Sequence, residues 1–295
     1  MTLDQLRVFV AVAEREHVTQ AAAHLNLTQS AVSAAISTLE ERHAVHLFDR
    51  VGRRIVLTDA GRLFLDEARA VLARAAQAER LLGDLAGLKR GTLRLAASQT
   101  VASYWLPPLM QAFRAAHPGF VLELATGNTS EVARMVHEAT VDLGFVEGEI
   151  DDPALAVESL PGDRLALVVA PDHAWASRPP AGPADLKASP WVLREPGSGT
   201  RAVSATALAR HGLALTDIEV GLELPSNEAV RLAVEAGAGA TILSTLVVAL
   251  ALEAGRLARV PFDLPPRRFR VLRHKERHPS LAERTFLELA RAAVR

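Results

Sequence analysis

Residues 19–54 read TQAAAHLNLTQSAVSAAISTLEERHAVHLFDRVGRR, and their pattern is two short helices around a tight polar turn followed by a basic hairpin. The first helix carries Ala22 and Leu25 on one face, and Asn26-Leu27-Thr28 makes the corner. Thr28 is placed to cap a second helix whose Ala31, Val32, Ala35, Ile36 and Leu39 share one side. Ser30, Ser33, Ala34 and Ser37 are left facing outward. A small, hydroxyl-rich outer face on the second helix of such a pair suits the major groove, where a close backbone lets Gln and Ser reach base edges. The stretch therefore implies double-stranded DNA as partner, with Thr28, Gln29, Ser30, Ser33 and Ser37 on the reading side.

Next comes Arg50-Val51-Gly52-Arg53-Arg54, then Ile55, Val56 and Leu57, a short hairpin in which Gly52 supplies the positive φ of a tight turn. Arg50, Arg53 and Arg54 would project at phosphates. Thr58 then caps a long helix with Asp59 in its first turn, near the positive end of the dipole. Along it Phe64, Ala68, Val71, Ala75, Ala78, Leu82 and Leu85 recur at steps of four and three, with charged residues on the other sides. That is a heptad seam, and it predicts a homodimer joined along residues 59–87. The implied order is a DNA-binding domain at 1–58, a dimerisation helix at 59–90 and a further region at 91–295.

Composition narrows the alternatives. A chain of 295 residues that is 49% hydrophobic can bury more than one core. It has no cysteine, which excludes thiol sensing and a thiolate metal site. No N-terminal basic-then-apolar pattern is present, and the apolar run at 246–252 is far short of the ~18 residues of a membrane helix, so a cytoplasmic location and no membrane partner are expected. Charge qualifies the DNA reading: Lys and Arg total 33 against 34 Asp and Glu, and the first sixty residues hold six Arg against seven acids. Affinity for phosphates must then rest on the local arginine cluster and on two copies acting together.

Beyond residue 91 the pattern changes to short β-like runs at 92–97, 121–126 and 141–146, alternating with helical stretches at 104–116 and 130–139. A second set follows, with strands at 164–170, 191–194, 218–222 and 239–243 and helices at 200–211, 227–235 and 246–254. Residues 268–273 and 281–294 add one more strand and helix. Two similar α/β lobes are implied, at 91–161 with 267–295 and at 162–266, joined by crossings at Leu160-Pro161-Gly162 and Leu264-Pro265-Pro266. Ligands of open α/β sheets sit beyond the carboxyl ends of strands, here the cleft between lobes. Ser98-Gln99-Thr100 follows the first strand and opens a helix, and Gly197-Ser198-Gly199-Thr200-Arg201 does the same in the second lobe, preceded by Arg194. Hydroxyls and free backbone N–H groups converge at both, so a small anion is expected. Glu147 closes the third strand, where it would accept from a protonated ligand group or from Arg194 or Arg201. The effector-binding set is thus Ser98, Gln99, Thr100, Glu147, Arg194, Ser198, Thr200 and Arg201.

Thr28-Gln29-Ser30-Ala31-Val32-Ser33, Leu39-Glu40, Leu47-Phe48-Asp49-Arg50 and Thr58-Asp59-Ala60-Gly61 together resemble the LysR-type transcriptional regulators. The resemblance covers the whole chain and is most specific over residues 3–65, with His117-Pro118, Gly127-Asn128 and Val141-Asp142-Leu143-Gly144-Phe145 matching further on. It implies an α/β chain with an N-terminal winged helix-turn-helix, a linker helix and a C-terminal two-lobed effector domain built like a type 2 periplasmic-binding protein, in a dimer or tetramer. The run at 193–201 resembles members tied to sulfur assimilation, sulfite response and carbon fixation. That points to a small oxyanion such as sulfite, or to a small carboxylate or phosphorylated metabolite, and to no cofactor. Two departures stand out: Ala34, Ala35, Ser37 and Thr38 occupy positions where the family usually has basic residues, and Ala44 stands where it favours glycine. A left-handed cap there costs a residue with a Cβ about 1 kcal/mol. His43 and His46 flank that turn, yet no matching carboxylate pair is near, so they read as a surface pair.

Two rivals fit less well. A solute-binding protein of the transport type fits 91–295 but leaves the first ninety residues without a purpose. An enzyme would draw on Ser198, His173 and Asp172, but no Gly-x-Ser-x-Gly elbow, metal spacing or phosphate loop frames them.

Overall fold

A computed structural model describes residues 1–51, 54–85 and 90–293, and the chain divides into two compact units, Met1–Leu85 and Ala86–Arg295. In the first unit α1 (Leu3–Arg15) opens from a capping box between Thr2 and Gln5, followed by α2 (Val18–Leu25) and α3 (Gln29–His43). The strands β1 (Phe48–Val51) and β2 (Arg54–Leu57) pair antiparallel, and α4 (Asp59–Leu85) closes the unit. Apolar periodicity puts Leu6, Phe9, Val12, Ala22, Val32 and Leu39 into one core. The ring of Phe9 meets those of Phe48 and Phe64 at centroid distances of 5.3 and 4.9 Å.

Thr28 caps α3 as expected, accepting from the Ala31 N–H at 3.2 Å. Ala31 itself is exposed rather than in the core, because a step of about 100° per residue carries it past the edge of the arc centred on Val32, Ile36 and Leu39. At the other end Ala44 takes the left-handed conformation, φ 50° and ψ 42°. Gly52 and Arg53, with the predicted positive φ of the hairpin, lie outside the described residues, as do residues 86–89 where the sequence pattern changes.

The second unit begins with β3 (Gly91–Ser98), α5 (Gln99–Tyr104), α6 (Leu106–Ala116), β4 (Phe120–Gly127), α7 (Thr129–His137), β5 (Leu143–Val146) and β6 (Leu155–Pro161). It continues through β7 (Leu165–Val169), α8 (Ala174–Ser177), α9 (Pro183–Lys187), β8 (Trp191–Arg194), α10 (Gly199–Ala209), β9 (Val220–Leu224), α11 (Asn227–Glu235), β10 (Thr241–Ser244), α12 (Thr245–Glu253) and β11 (Ala258–Val260). Finally β12 (Arg268–His274) returns to the first sheet and α13 (Leu281–Ala292) covers it. The first sheet runs β4-β3-β5-β12-β6, with β3 parallel to β4 and β5 and β12 antiparallel to β5 and β6. The second lobe holds β10-β7-β11 and the parallel pair β8-β9, linked by a bridge from Trp191 to Ala240.

The helix expected at 104–116 is α6, which begins at Leu106 with Pro107 and Pro108 in its first turn, while Tyr104 ends α5 before the break at Trp105. Two strands were not anticipated: β6 mixes charged and apolar residues, and β11 spans only Ala258–Val260. Each sheet is covered on both faces. Phe113, Phe145, Phe269 and Phe286 fill one side of the first and Val132, Val136 and Leu272 the other. Trp175, Trp191 and Leu208 pack one side of the second lobe and Val230, Val234 and Val248 the other.

The chain passes between the sheets at Gly162-Asp163-Arg164 and again over residues 261–267. The two passages touch: a Cβ on Gly162 would lie 2.2 Å from the Arg267 carbonyl oxygen. Among the described residues no helix is long and apolar enough to cross a membrane.

Candidate functional site

On α3, Gln29, Ser30 and Ser37 are exposed and Ser33 is half-buried. The Thr28 and Ser30 hydroxyls lie 3.0 Å apart, and the Thr19 hydroxyl donates to Gln29 Oε1 at 3.3 Å, leaving the amide N–H pair of Gln29 free to point outward. Thr19 was missed in the sequence because it belongs to the preceding helix. Arg7, Arg15, Arg62 and Arg69 each pair with a carboxylate of the unit. Exposed Arg50 has no such partner among the described residues. Arg53 lies outside the described residues, and for Arg54 only the backbone in β2 is described.

The seam of α4 divides along its length. Phe64 and Ala68 pack into the core of their own unit together with Leu65 and Leu72, and Ala75 is half-buried. Val71, Ala78 and Leu82 are exposed, and the Leu85 side chain lies outside the described residues.

Between the lobes of the second unit the sequence-predicted residues converge. Ser98 ends β3 and Glu147 follows β5, both at the carboxyl edge of the first sheet, and the Ser98 hydroxyl donates to Glu147 Oε2. Arg267, from the second passage, is buried beside them. Its Nη1 lies 3.3 Å from Glu147 Oε1 and 3.4 Å from the Thr200 hydroxyl, and its Nε donates to Asp163 at 2.6 Å. Burial works against the charge of Arg267, but Glu147 and Asp163 outweigh it and raise its pKa. Ser244 also donates to Asp163.

Arg194 forms a two-pronged bond to Glu195, 2.7 Å on each arm, and donates to Asn227 Oδ1 at 2.5 Å. Asn227 is a hub between lobes: its side chain donates to the Thr100 hydroxyl at 3.0 Å and its backbone N–H to Gln99 Oε1 at 2.9 Å. The Gln99 amide donates in turn to the Pro225 carbonyl at 2.9 Å, and the Tyr104 hydroxyl to Glu228 at 2.8 Å. Arg201 donates to the Arg194 carbonyl at 2.5 Å and pairs with Glu223 at 2.6 Å.

One expectation is corrected here. Glu147 pairs with neither Arg194 nor Arg201, since each has a carboxylate of its own and the second passage delivers Arg267 beside it. Arg267, Asp163, Asn227 and Thr129 were all missed. Only Asn227 and Thr129 carried a local signal, each directly following the cap of a helix.

The N-termini of α7 and α10 meet across the lobes, where the Ser130 N–H donates to the Gly197 carbonyl at 3.3 Å. A Cβ on Gly199 would lie 2.8 Å from both Gly148 N and Thr129 Oγ1, so glycine is what permits the approach. Thr129 is 5% exposed and its hydroxyl has no hydrogen-bond partner among the described residues. A cavity of about 380 Å³ opens here, lined by Thr129, Ser130, Gly148, Ser198, Gly199 and Arg201. A second, of about 340 Å³, shares Gly148 and Gly199 and is lined further by Glu147, Arg210, Arg267 and Arg268. Two helix N-termini, the buried Thr129 hydroxyl and Arg201 thus stand about the first cavity, and Arg210, Arg267 and Arg268 about the second.

The residue types for nucleophilic catalysis do not assemble. His173 Nδ1 accepts the Trp175 N–H at 3.1 Å, so Nε2 carries the proton and donates to the Ser189 hydroxyl at 3.0 Å. A histidine in that tautomer cannot take a proton from the serine. Among the described residues no group of three or more His, Asp or Glu could hold a metal ion.

Comparisons with known proteins agree with this layout. Residues 3–62 match the family described as bacterial regulatory helix-turn-helix protein, lysR family, and residues 86–295 match the LysR substrate binding domain. The uncharacterized HTH-type transcriptional regulator YeiE of Escherichia coli (strain K12) is 39% identical over 291 residues, covering 98% of this chain and 96% of that protein. The RuBisCO operon transcriptional regulator of Allochromatium vinosum is 35% identical over 269 residues, covering 91% and 88%. Among solved structures, full-length CbnR complexed with its target DNA superposes with a TM-score of 0.70 at 24% identity, covering 99% of this chain and all of that one. HinK from Pseudomonas aeruginosa gives 0.60 at 25% identity, covering 99% and 98%.

Proposed function

The chain belongs to the LysR family of transcriptional regulators, and from that premise we propose that the cleft of its second unit senses a small anion and thereby resets how paired copies hold DNA. The protein is a DNA-binding regulator with an effector-binding domain and not an enzyme. In the proposed division of labour residues 1–58 read DNA, 59–90 pair two copies and 91–295 bind the effector. Thr28, Gln29, Ser30, Ser33 and Ser37 face bases, while Arg50, Arg53 and Arg54 lie on phosphates. A DNA-bound role places the protein in the cytoplasm.

The observation that carries the anion reading is the buried, unpartnered Thr129 hydroxyl where the N-termini of α7 and α10 meet. To the same site the reading assigns Ser98, Gln99, Thr100, Glu147, Arg194, Ser198, Thr200 and Arg201, of which all but Gln99 and Arg201 are buried. The effector class is an oxyanion such as sulfite, or a small carboxylate or phosphorylated metabolite, the last favoured by relatives described as RuBisCO operon regulators. Such a ligand acts only through a difference in affinity between two lobe arrangements.

Calorimetry on the full chain with sulfite, phosphate and small carboxylates tests the reading. Arg201→Ala should weaken the anion that binds by roughly 10-fold, as expected for one charge-assisted hydrogen bond, while affinity for operator DNA without the anion stays unchanged. Binding of none of these anions by the wild-type chain would remove the reading.

A further inference from the structure

We infer that the second cavity is a binding site in its own right, for a small organic phosphate, distinct from the anion site of the first. The two cavities follow different faces of α10: Arg201 and Ala205 line the first, Val203, Thr206 and Arg210 the second. Opposite them, Arg268 and Arg270 stand two residues apart on β12. They therefore share the face that Phe269 and Val271 turn away from to enter the core.

The arginines of this lining are unequally committed. Arg267 is held by Glu147 and Asp163, and Glu147 in turn by Ser98 as well. Arg270 is fixed by donating to the Glu147 and Gly148 carbonyls at 3.4 and 3.1 Å, and it pairs with Glu149, whose side chain is 88% exposed. Arg210 pairs with Asp263 at 4.0 Å, where the acid is 95% exposed. Exposed Arg268 has no ion pair among the described residues. Ion pairs as exposed as those of Glu149 and Asp263 contribute little, so an entering anion replaces both acids easily. Glu149 also shows what the place accepts: an anionic oxygen at the end of a guanidinium that the backbone holds still. Phosphate suits several such forks at once, having more oxygens than a carboxylate. The rest of the lining is apolar, with Leu165, Val203, Pro265 and Pro266. A space of about 340 Å³ is far more than one inorganic ion fills, so the arginines take the phosphate and the apolar wall takes a carbon body.

Phenyl phosphate is the probe, titrated calorimetrically into the full-length chain at neutral pH and fixed ionic strength. Arg268→Ala should weaken its binding by at least roughly 10-fold, the loss of a hydrogen bond to a charged group, and Arg210→Ala, in another element, should weaken it too. Inorganic phosphate should bind this Arg268-dependent site less tightly. Arg201→Ala, in the first cavity, should leave the site unchanged. So should Arg178→Ala, which removes the same charge from a surface lining neither cavity. Absence of phenyl phosphate binding overturns the inference, as does binding that needs neither Arg268 nor Arg210, binding no tighter than that of inorganic phosphate, or a loss that Arg178→Ala reproduces. If Arg201→Ala alone abolishes binding, the inference falls and the first cavity remains an anion site. If Arg268→Ala and Arg210→Ala act while no small anion responds to Arg201→Ala, the first-cavity reading falls and the inference stands. The Arg210 variant decides if thermal melting shows Arg268→Ala to be unfolded.

Discussion

At the end of α3, Ala44 holds a left-handed backbone, φ 50°, that costs a residue with a Cβ about 1 kcal/mol. The cap is kept because the Ala44 N–H donates back to the carbonyl of Glu41 and the Val45 N–H to that of Glu40, closing the helix. Ala44→Gly should therefore raise stability by about 0.5–1 kcal/mol, reduced somewhat by the extra freedom of glycine in the unfolded chain. The check is a urea midpoint that rises with its slope unchanged; a lower midpoint would contradict it. This position was legible through the resemblance alone, because the family favours glycine at the corner that Ala44 occupies. Arg267 was not. Its partners Glu147 and Asp163 lie 120 and 104 residues away, and a single arginine in a connecting passage has no periodicity to mark it.

Among the elements, α4 is the one whose two ends do different things. Its beginning is fastened by Phe64 and Ala68 to the core of its own unit, while Val71 and Leu82 are 41% and 69% exposed along the same seam. In the proposed dimer the uncovered apolar surface of this 27-residue helix is where two copies pair, and a carboxylate at its centre would be buried without a partner. Replacing both Val71 and Ala75 with Asp should convert the protein from dimer to monomer in sedimentation velocity, with helix content nearly unchanged by circular dichroism. Persistence of the dimer would move the interface elsewhere. The helices and the buried parallel strands were legible because each has one period and one burial state over its length. The strands β6 and β11 were not, since one alternates charged with apolar residues and the other is too short to show a pattern.

For the molecule as a whole, pH acts first through a buried acid far from the cleft in sequence. Burial, reinforced by the charge of Asp142, pushes the Glu283 carboxyl from 4.5 up to about 7. Between those values the folded chain keeps a proton that the unfolded chain has released, so the stability this group contributes is complete below about pH 4.5 and is lost as pH rises through about 7. Glu283→Gln retains an acceptor for the Ser280 N–H, bonded at 3.3 Å in the native chain, and removes the titration. The variant should gain on the wild type between about pH 4.5 and about pH 7, by roughly 3 kcal/mol at most, read as a melting temperature that no longer falls over that range. A parallel fall in both proteins would contradict the assignment.

The contact between the two passages sets what kind of signal such a molecule can carry. With Gly162 against the Arg267 carbonyl there is no room for a side chain, and the passages are bound further by Arg267 and Asp163. Two separate strings would let the lobes twist, shear and splay independently. Bound together they act as one pivot, leaving the lobes a single angle to vary. Whatever occupies the cleft can then choose a position on that one dial, and chemically different effectors differ in how far they turn it rather than in which way.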